Sequence, residues 1–140
     1  MSALLLLHAG VTCYMCGVIW FVQLVHYPLF AGVGREGFIA YQTQHVRRTG
    51  WVVGPPMLLE GTSALALCIL APAGIDGSLL WVGFGLLTIV WLSTFFWQVP
   101  CHNVLLVGFD EERHAWLVRS NWLRTVLWSV RALLALYWLV

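Results

Sequence analysis

Long apolar runs alternate with short polar segments along this chain, and each run is long enough to cross a membrane. A bilayer-spanning helix needs about 20 mostly apolar residues, and in lipid its backbone groups must be hydrogen-bonded internally. The pattern therefore predicts four transmembrane helices, over residues 3–25, 51–71, 78–99 and 116–139. Between the first two runs, Phe38, Tyr41 and His45 recur at helical spacing and predict an amphipathic helix over 36–48.

Composition strengthens this interpretation. Of the 140 residues, 61% are hydrophobic and 9% are charged, whereas soluble domains carry about 25% charged residues. We therefore predict an all-α protein, a polytopic membrane four-helix bundle forming a single transmembrane domain over residues 1–140. Its first partner is the lipid bilayer, and the net charge of +1 argues against nucleic acid as a partner.

Arginines are concentrated in two of the three connections. The first connection holds Arg35, Arg47 and Arg48, and the third holds Arg113, with Arg119 just beyond it. Positively charged loops remain on the cytoplasmic side of membrane proteins. The expected arrangement is an integral protein of a bacterial inner membrane, with both termini outside, in the periplasm.

The chain also aligns with itself without gaps when it is shifted by 76 residues. This register pairs polar residues that have the same mutual spacing in both halves: His26 with His102, His45 with Asn121, and Arg48 with Arg124. Such internal symmetry is common in membrane proteins. The prediction is a 2+2 duplication, with a pseudo-twofold axis along the membrane normal.

Three histidines are expected near one end of this bundle, at the cytoplasmic side. His26 and His102 are candidate cofactor ligands, and a metal set of His26, His45, His102 and Glu60 is a further candidate. Imidazoles with a carboxylate suit iron or copper, and two histidines across a bundle suit haem b. The alternative is that each histidine only interacts with a helix C-terminus.

Glu60 lies well inside the second predicted span, where an ionisable residue is a functional-site hypothesis by default. We predict catalytic roles for Glu60, Arg48 and Arg124, with the arginines stabilising a developing oxyanion. A buried ion pair of Glu60 with Arg124 or Arg131 is the structural alternative. Four amide side chains are expected to orient these groups: Gln23, Gln98, Asn103 and Asn121.

The segments HYPLF (residues 26–30) and VPCHNVLLVGFDEERHAWLVRSNWLRTVLWSVRALLAL (residues 99–136) resemble the anthrone-oxygenase-like family of small four-span membrane proteins. The similarity covers a proline followed by a polar residue and a leucine, an acidic loop, and a tryptophan ahead of N-x-x-R. Their counterparts here are Pro100, His102, Leu105, the loop 110–112, Trp116 or Trp122, and Asn121 with Arg124.

The resemblance implies oxygen-dependent oxidation of a lipophilic substrate, such as an anthrone, to a quinone. His102 stands where the family carries asparagine, and this difference favours a metal or haem ligand at that position. The sequence therefore predicts a membrane oxidoreductase that acts on a lipophilic small molecule. Two alternatives remain: an accessory subunit of a larger membrane complex, and a small transporter or proton conduit. A homo-oligomer or a subunit of a membrane complex is expected as the assembly.

Overall fold

The computed structural model describes residues 3–140 and confirms the all-α prediction. Five α-helices form four long rods, because the third and fourth are joined end to end by a π-helical turn. The first helix also continues, through a π-helical turn and a short 3-10 helix. The elements are α1 (Ala3–Phe21), π-turn Val22–His26, 3-10 helix Pro28–Gly32, α2 (Arg35–Leu70), α3 (Gly77–Ser93), π-turn Thr94–Gln98, α4 (Val99–Leu105) and α5 (Glu111–Tyr137).

Three of the four rods are long and apolar enough to cross a membrane. They run over Ala3–Gly32, Arg35–Leu70 and Gly77–Leu105, and the first three predicted spans fall on them. The fourth predicted span, 116–139, falls on α5, which does not reach the same apolarity because polar and charged side chains interrupt it. Those side chains mostly face the interior of the bundle, where they form the polar sites described below.

The amphipathic segment 36–48 and the second predicted span belong to one continuous helix, α2. Pro55 and Pro56 therefore lie in the interior of a helix and not in its first turns. Proline has no N–H, so the carbonyl four residues earlier loses its helical partner. The hydroxyl of Tyr14 donates to the carbonyl of Val52, the group that Pro56 leaves free, at 3.3 Å. A neighbouring helix thus supplies a donor to one of the two carbonyls that the prolines leave free, as is common where proline interrupts an apolar helix.

The rods pack side by side, with α1 and α3 each lying along both α2 and α5. One apolar cluster includes Phe30, Phe38 and Trp128, and a second, towards the other end, includes Leu67 and Leu80. Large apolar side chains also cover much of the outer surface. A face of this kind suits contact with lipid better than contact with water.

Two aspartates fix the starts of helices. Asp76 accepts hydrogen bonds from the backbone N–H and the hydroxyl of Ser78, both at 2.8 Å, and begins α3. These bonds lower the pKa of the Asp76 carboxyl below its ordinary value, the backbone bond contributing most. Asp110 caps α5 by accepting the N–H of Arg113 at 2.8 Å. Capping aspartates of this kind favour the helix start, so the first residues of α3 and α5 are both fixed by a side chain.

Candidate functional site

Buried polar residues form two separate groups inside the bundle. We call the first the histidine centre, which comprises His26, Tyr27, Gln42, His45, His102 and Arg124. We call the second the glutamate centre, which comprises Glu60, Gly83, Trp128 and Arg131. Buried polar groups need hydrogen-bond partners; the glutamate centre supplies them for both of its charged groups, whereas in the histidine centre Oε1 of Gln42 is buried without one in the described part of the chain.

In the histidine centre, two imidazoles contact each other directly. Nε2 of His26 lies 2.7 Å from Nδ1 of His45, and the ring centroids are 4.7 Å apart. The hydroxyl of Thr49, one turn along α2, lies 3.1 Å from the same nitrogen of His45. A hydrogen bond between two ring nitrogens needs one donor and one lone pair. The pair therefore holds one proton between its two facing nitrogens, and a second proton there would place two donors face to face.

The third imidazole is held in one tautomer by its neighbours. Nε2 of Gln42 lies 2.9 Å from Nδ1 of His102 and 3.5 Å from the His102 carbonyl oxygen. Because a carbonyl only accepts, the Gln42 atom facing it is the amide nitrogen, and Nδ1 of His102 is the accepting ring nitrogen. The N–H at Nε2 of His102 then donates to the hydroxyl oxygen of Tyr27 at 3.0 Å.

Arg124 completes the histidine centre from α5. It donates to the hydroxyl of Tyr27 at 3.3 Å, to that of Thr94 at 3.2 Å, and through Nε to Oδ1 of Asn121 at 2.9 Å. The amide of Asn121 donates in turn to Oε1 of Gln23 at 2.8 Å. All the partners of this arginine are neutral, so its charge is hydrogen-bonded but not balanced.

Both π-helical turns contribute residues to this end of the bundle. The first holds Gln23 and His26, and the second holds Thr94 and Gln98. The turn at Val22–His26 is closed by the bond from Tyr27 N–H to the Val22 carbonyl at 3.0 Å. Such single π-turns occur frequently at functional sites. In the sequence, the only signals for them are Pro28 and Pro100, which follow the turns.

The glutamate centre is a closed ion pair. Oε1 of Glu60 accepts from Nε and Nη2 of Arg131 at 3.1 and 3.0 Å, and Oε2 accepts from the indole N–H of Trp128 at 3.0 Å. Arg131 also donates through Nη1 to the carbonyl of Gly83. Both charged side chains are buried, at 0% and 2% exposure. Arg131 is therefore the ion-pair partner of Glu60, as the structural alternative proposed.

This geometry separates Glu60 from the histidines, and the predicted metal set is not assembled. Within residues 3–140, no group of three or more His, Cys, Asp or Glu side chains could hold a metal ion. Each ring nitrogen of His102 faces a protein hydrogen-bond partner, and the carboxylate of Glu60 is taken by Arg131 and Trp128. The ring of His45 lies close to those of His26 and His102, with centroids at 4.7 and 5.0 Å, where a porphyrin would have to fit. The residues present do not fit the predicted metal or haem.

The remaining predicted residues have different surroundings. Arg48 is exposed and lines a surface pocket of about 270 Å³, together with His26, Tyr41, Gln44, His45 and Thr49. Gln98 is buried and donates to the hydroxyl of Ser120 at 3.0 Å. Asn103 is exposed, and no contact connects it to the centre within the described part of the chain.

Sequence reasoning missed Tyr27, Gln42 and Thr94, and it left His114 outside any site. His114 Nε2 lies 2.8 Å from the backbone carbonyl oxygen of Tyr27, to which it donates. Its ring packs against Phe30, with centroids 6.1 Å apart. His114 therefore ties the start of α5 to the backbone turn that carries both His26 and Tyr27. The sequence signal for Tyr27 and Gln42 was only their position within three residues of a predicted histidine, in the segments HYP and QTQH.

Comparison of this chain with family models, with curated proteins and with solved structures finds no match in any of the three. The class of protein is therefore defined by the fold and the two centres alone. It is an all-helical chain with three helices apolar enough for a membrane and a buried His–Tyr–Arg site at one end.

Proposed function

We propose that this protein is a membrane oxidoreductase that uses dioxygen to oxidise a lipophilic substrate, the activity implied by the resemblance to anthrone-oxygenase-like proteins. The observation that supports it best is the histidine centre beside the 270 Å³ pocket. Because the facing nitrogens of His26 and His45 share one proton at 2.7 Å, one of the two outward ring nitrogens carries a free lone pair, which suits general base catalysis. The nitrogens of His102 and the carboxylate of Glu60 are engaged by protein partners, which favours a reaction carried out by protein groups without a metal.

The reaction replaces a CH₂ group with a carbonyl group, R₂CH₂ + O₂ → R₂C=O + H₂O. The histidine pair removes a proton from the acidic C–H, and the resulting carbanion reduces dioxygen. A C–O bond forms, the second C–H proton is lost as the O–O bond breaks, and water leaves. Arg48 at the pocket and the buried Arg124 stabilise the negative charge on carbon and oxygen, since positive charges placed near a developing negative charge lower such barriers. Gln42 and Asn121 keep their partners oriented.

We further propose that the chain is a four-helix bundle in a bacterial inner membrane, built by duplication of a helical hairpin, with its termini in the periplasm. Three sufficiently apolar helices support the membrane assignment. The duplication is supported by the helix starts, because α2 begins at Arg35 and α5 begins at Glu111. These positions have the same 76-residue offset as His26 and His102.

Oxygen uptake by the purified protein with an anthrone tests the proposal. We expect His26→Gln and His45→Gln each to lower the rate about 10²-fold or more, the usual contribution of a positioned acid–base group. His8→Gln is the matched control, because His8 is a buried histidine that bonds Ser63 at 2.9 Å, outside the histidine centre. Wild-type rates in both pocket variants would refute the assigned roles.

An accessory subunit is the second candidate, and one observation favours it. An almost wholly apolar groove of about 420 Å³ runs between α2 and α3, lined in part by Gly61, Leu87 and Trp91. The glycine allows the indole to approach closely, since a Cβ there would lie 3.3 Å from the Trp91 ring. Small residues of this kind mark helix-packing faces in membranes. In that case the histidine substitutions would leave the function of the complex intact.

A further inference from the structure

The histidine centre contains a buried positive charge without a negative partner. Arg124 is 7% exposed, and its hydrogen bonds reach only Asn121, Thr94 and Tyr27. A buried charge is costly unless it is paired as well as hydrogen-bonded. The neutral partners of Arg124 supply hydrogen bonds but no opposite charge, so a compensating negative charge has to come from another group.

The acidic residues of the chain do not provide it. Each one is paired with a different arginine, caps a helix or is exposed: Glu60 pairs with Arg131, Glu111 lies 3.9 Å from Arg35, Asp76 and Asp110 cap α3 and α5, and Glu36 and Glu112 are exposed. No ion pair of Arg48 or Arg124 occurs anywhere in residues 3–140. The compensating anion is therefore expected from a bound molecule.

The pocket next to the centre has the chemistry of an anion site. Its lining offers the guanidinium of Arg48, the amide of Gln44 and the hydroxyls of Tyr41 and Thr49, and it includes no carboxylate. Two rings of the wall, those of Tyr41 and His26, have centroids 6.4 Å apart. Hydrogen bonds from charged donors to an oxyanion are the stronger kind, and aromatic walls favour a flat ligand.

We infer that this pocket binds a planar, lipophilic acid in its anionic form, a carboxylate or a phenolate. Arg48 is the arginine of the pocket wall and contacts the oxyanion directly, whereas Arg124 is not part of the wall and acts on the anion only at longer range. The volume of about 270 Å³ lies just below the usual range for drug-sized ligands and leaves room for a molecule of two or three fused rings. The inference rests on the proposed function only in taking this ligand to be the substrate.

The test compares 2-naphthoate with its methyl ester, which has the same rings and no charge. The full chain in nanodiscs of zwitterionic phosphatidylcholine is titrated with each probe, and binding is followed by naphthalene fluorescence against protein-free nanodiscs. We expect naphthoate to bind at least about tenfold more tightly than the ester. Arg48→Gln should remove about that factor for naphthoate, Arg124→Gln should remove a smaller part of it, and both should weaken ester binding much less.

Arg119→Gln is the matched control, because this exposed arginine of α5 contacts only the Trp116 ring, at 5.5 Å. It should bind naphthoate like the wild type. Equal affinity for acid and ester would overturn the inference. Displacement of naphthoate when phosphatidylglycerol is included in the nanodiscs at the same mole fraction as the naphthoate would also overturn it, because the site would then bind a lipid headgroup. The acid–ester comparison needs no variant, so it decides the matter even where Arg124→Gln does not fold.

The proposed anion site and the proposed oxidoreductase activity can be refuted independently, because binding and oxygen uptake are measured separately. Selective naphthoate binding without oxygen uptake on any anthrone would support the inference and contradict the proposed oxidoreductase. Oxygen uptake without preference for the anionic probe would have the opposite meaning.

Discussion

Arg124 and Arg131 lie on the same side of α5, seven residues apart, or about 10 Å along the helix. Both are buried and fully hydrogen-bonded, yet only Arg131 faces a carboxylate. The glutamate centre is closed, with charge, hydrogen bonds and packing all supplied by the chain. The histidine centre contains the positive charge of Arg124 without a carboxylate partner, and it adjoins a pocket.

The difference separates a centre whose charges are balanced within the chain from one whose positive charge is not. An ionisable residue inside an apolar helix, such as Glu60, is by default a candidate functional residue. Both of its carboxylate oxygens, however, accept hydrogen bonds from Arg131 or Trp128. Such a pair joins α2 to α5 and is unavailable to a substrate. Arg124 has only neutral partners, so the developing charge of a reaction can still gain from it.

The same substitution at the two arginines gives the largest expected contrast in stability. Arg131→Gln leaves the buried carboxylate of Glu60 without its partner and should lower the unfolding free energy by about 3–5 kcal/mol. Arg124→Gln leaves only neutral groups behind and should cost about 1–2 kcal/mol. Reversible denaturation in mixed micelles measures both.

The exposed Arg119→Gln is the reference, with an expected change within about 0.5 kcal/mol. Combining Arg131→Gln with Glu60→Gln should recover part of the loss, because the second change removes the unpaired charge. Equal losses at positions 124 and 131 would show that the charge balance of the two centres does not distinguish them.

Gly83 tests how tightly the glutamate centre is packed, with a smaller expected effect. A Cβ at this position would lie 2.8 Å from Cη2 of Trp138, beside the carbonyl that accepts from Arg131. We expect Gly83→Ala to lower the unfolding free energy by about 1–3 kcal/mol through overpacking. Gly85→Ala, two residues along α3 with nothing within 4 Å of its Cβ, should be neutral or slightly stabilising. A similar result for both glycines would mean that Trp138 moves aside freely.

Apolar periodicity was sufficient to predict the all-helical fold, because run length and bilayer thickness constrain each other. It could not predict that α2 continues through Pro55 and Pro56. That outcome depends on Tyr14, a residue of another helix that reaches the carbonyl of Val52. Helix continuity at a proline is a tertiary property, and no pattern local to α2 contains it.

The sequence predicted some of the residues that meet in the histidine centre, and it did not predict how the polar residues divide between the two centres. The offset that aligns His26 with His102 selected residues that do lie close together at one end of the bundle. Glu60, which this offset aligns with Leu136, was added to the set only because it is an ionisable residue inside an apolar run, and such a run does not show which way the side chain faces. Only the rotation of α2 and α5 decides that Glu60 faces Arg131, while His45, four turns earlier on α2, faces His26. Tyr27 and Gln42 were missed because single polar residues beside a motif look like ordinary surface residues.

His114 gives the smallest expected effect and tests whether the histidine centre depends on support from α5. His114→Leu removes the hydrogen bond to the Tyr27 carbonyl, which still accepts the N–H of Phe30 at 3.1 Å. The loss in unfolding free energy should therefore be only about 1 kcal/mol. The turn that carries His26 would lose its restraint, so oxygen uptake should fall by more than the stability change suggests. His114→Gln keeps a donor of similar reach and should restore most of the rate. If the leucine variant matched the wild type in both stability and rate, the centre would be held by its own hydrogen bonds, and α5 would contribute Arg124 and Asn121 alone.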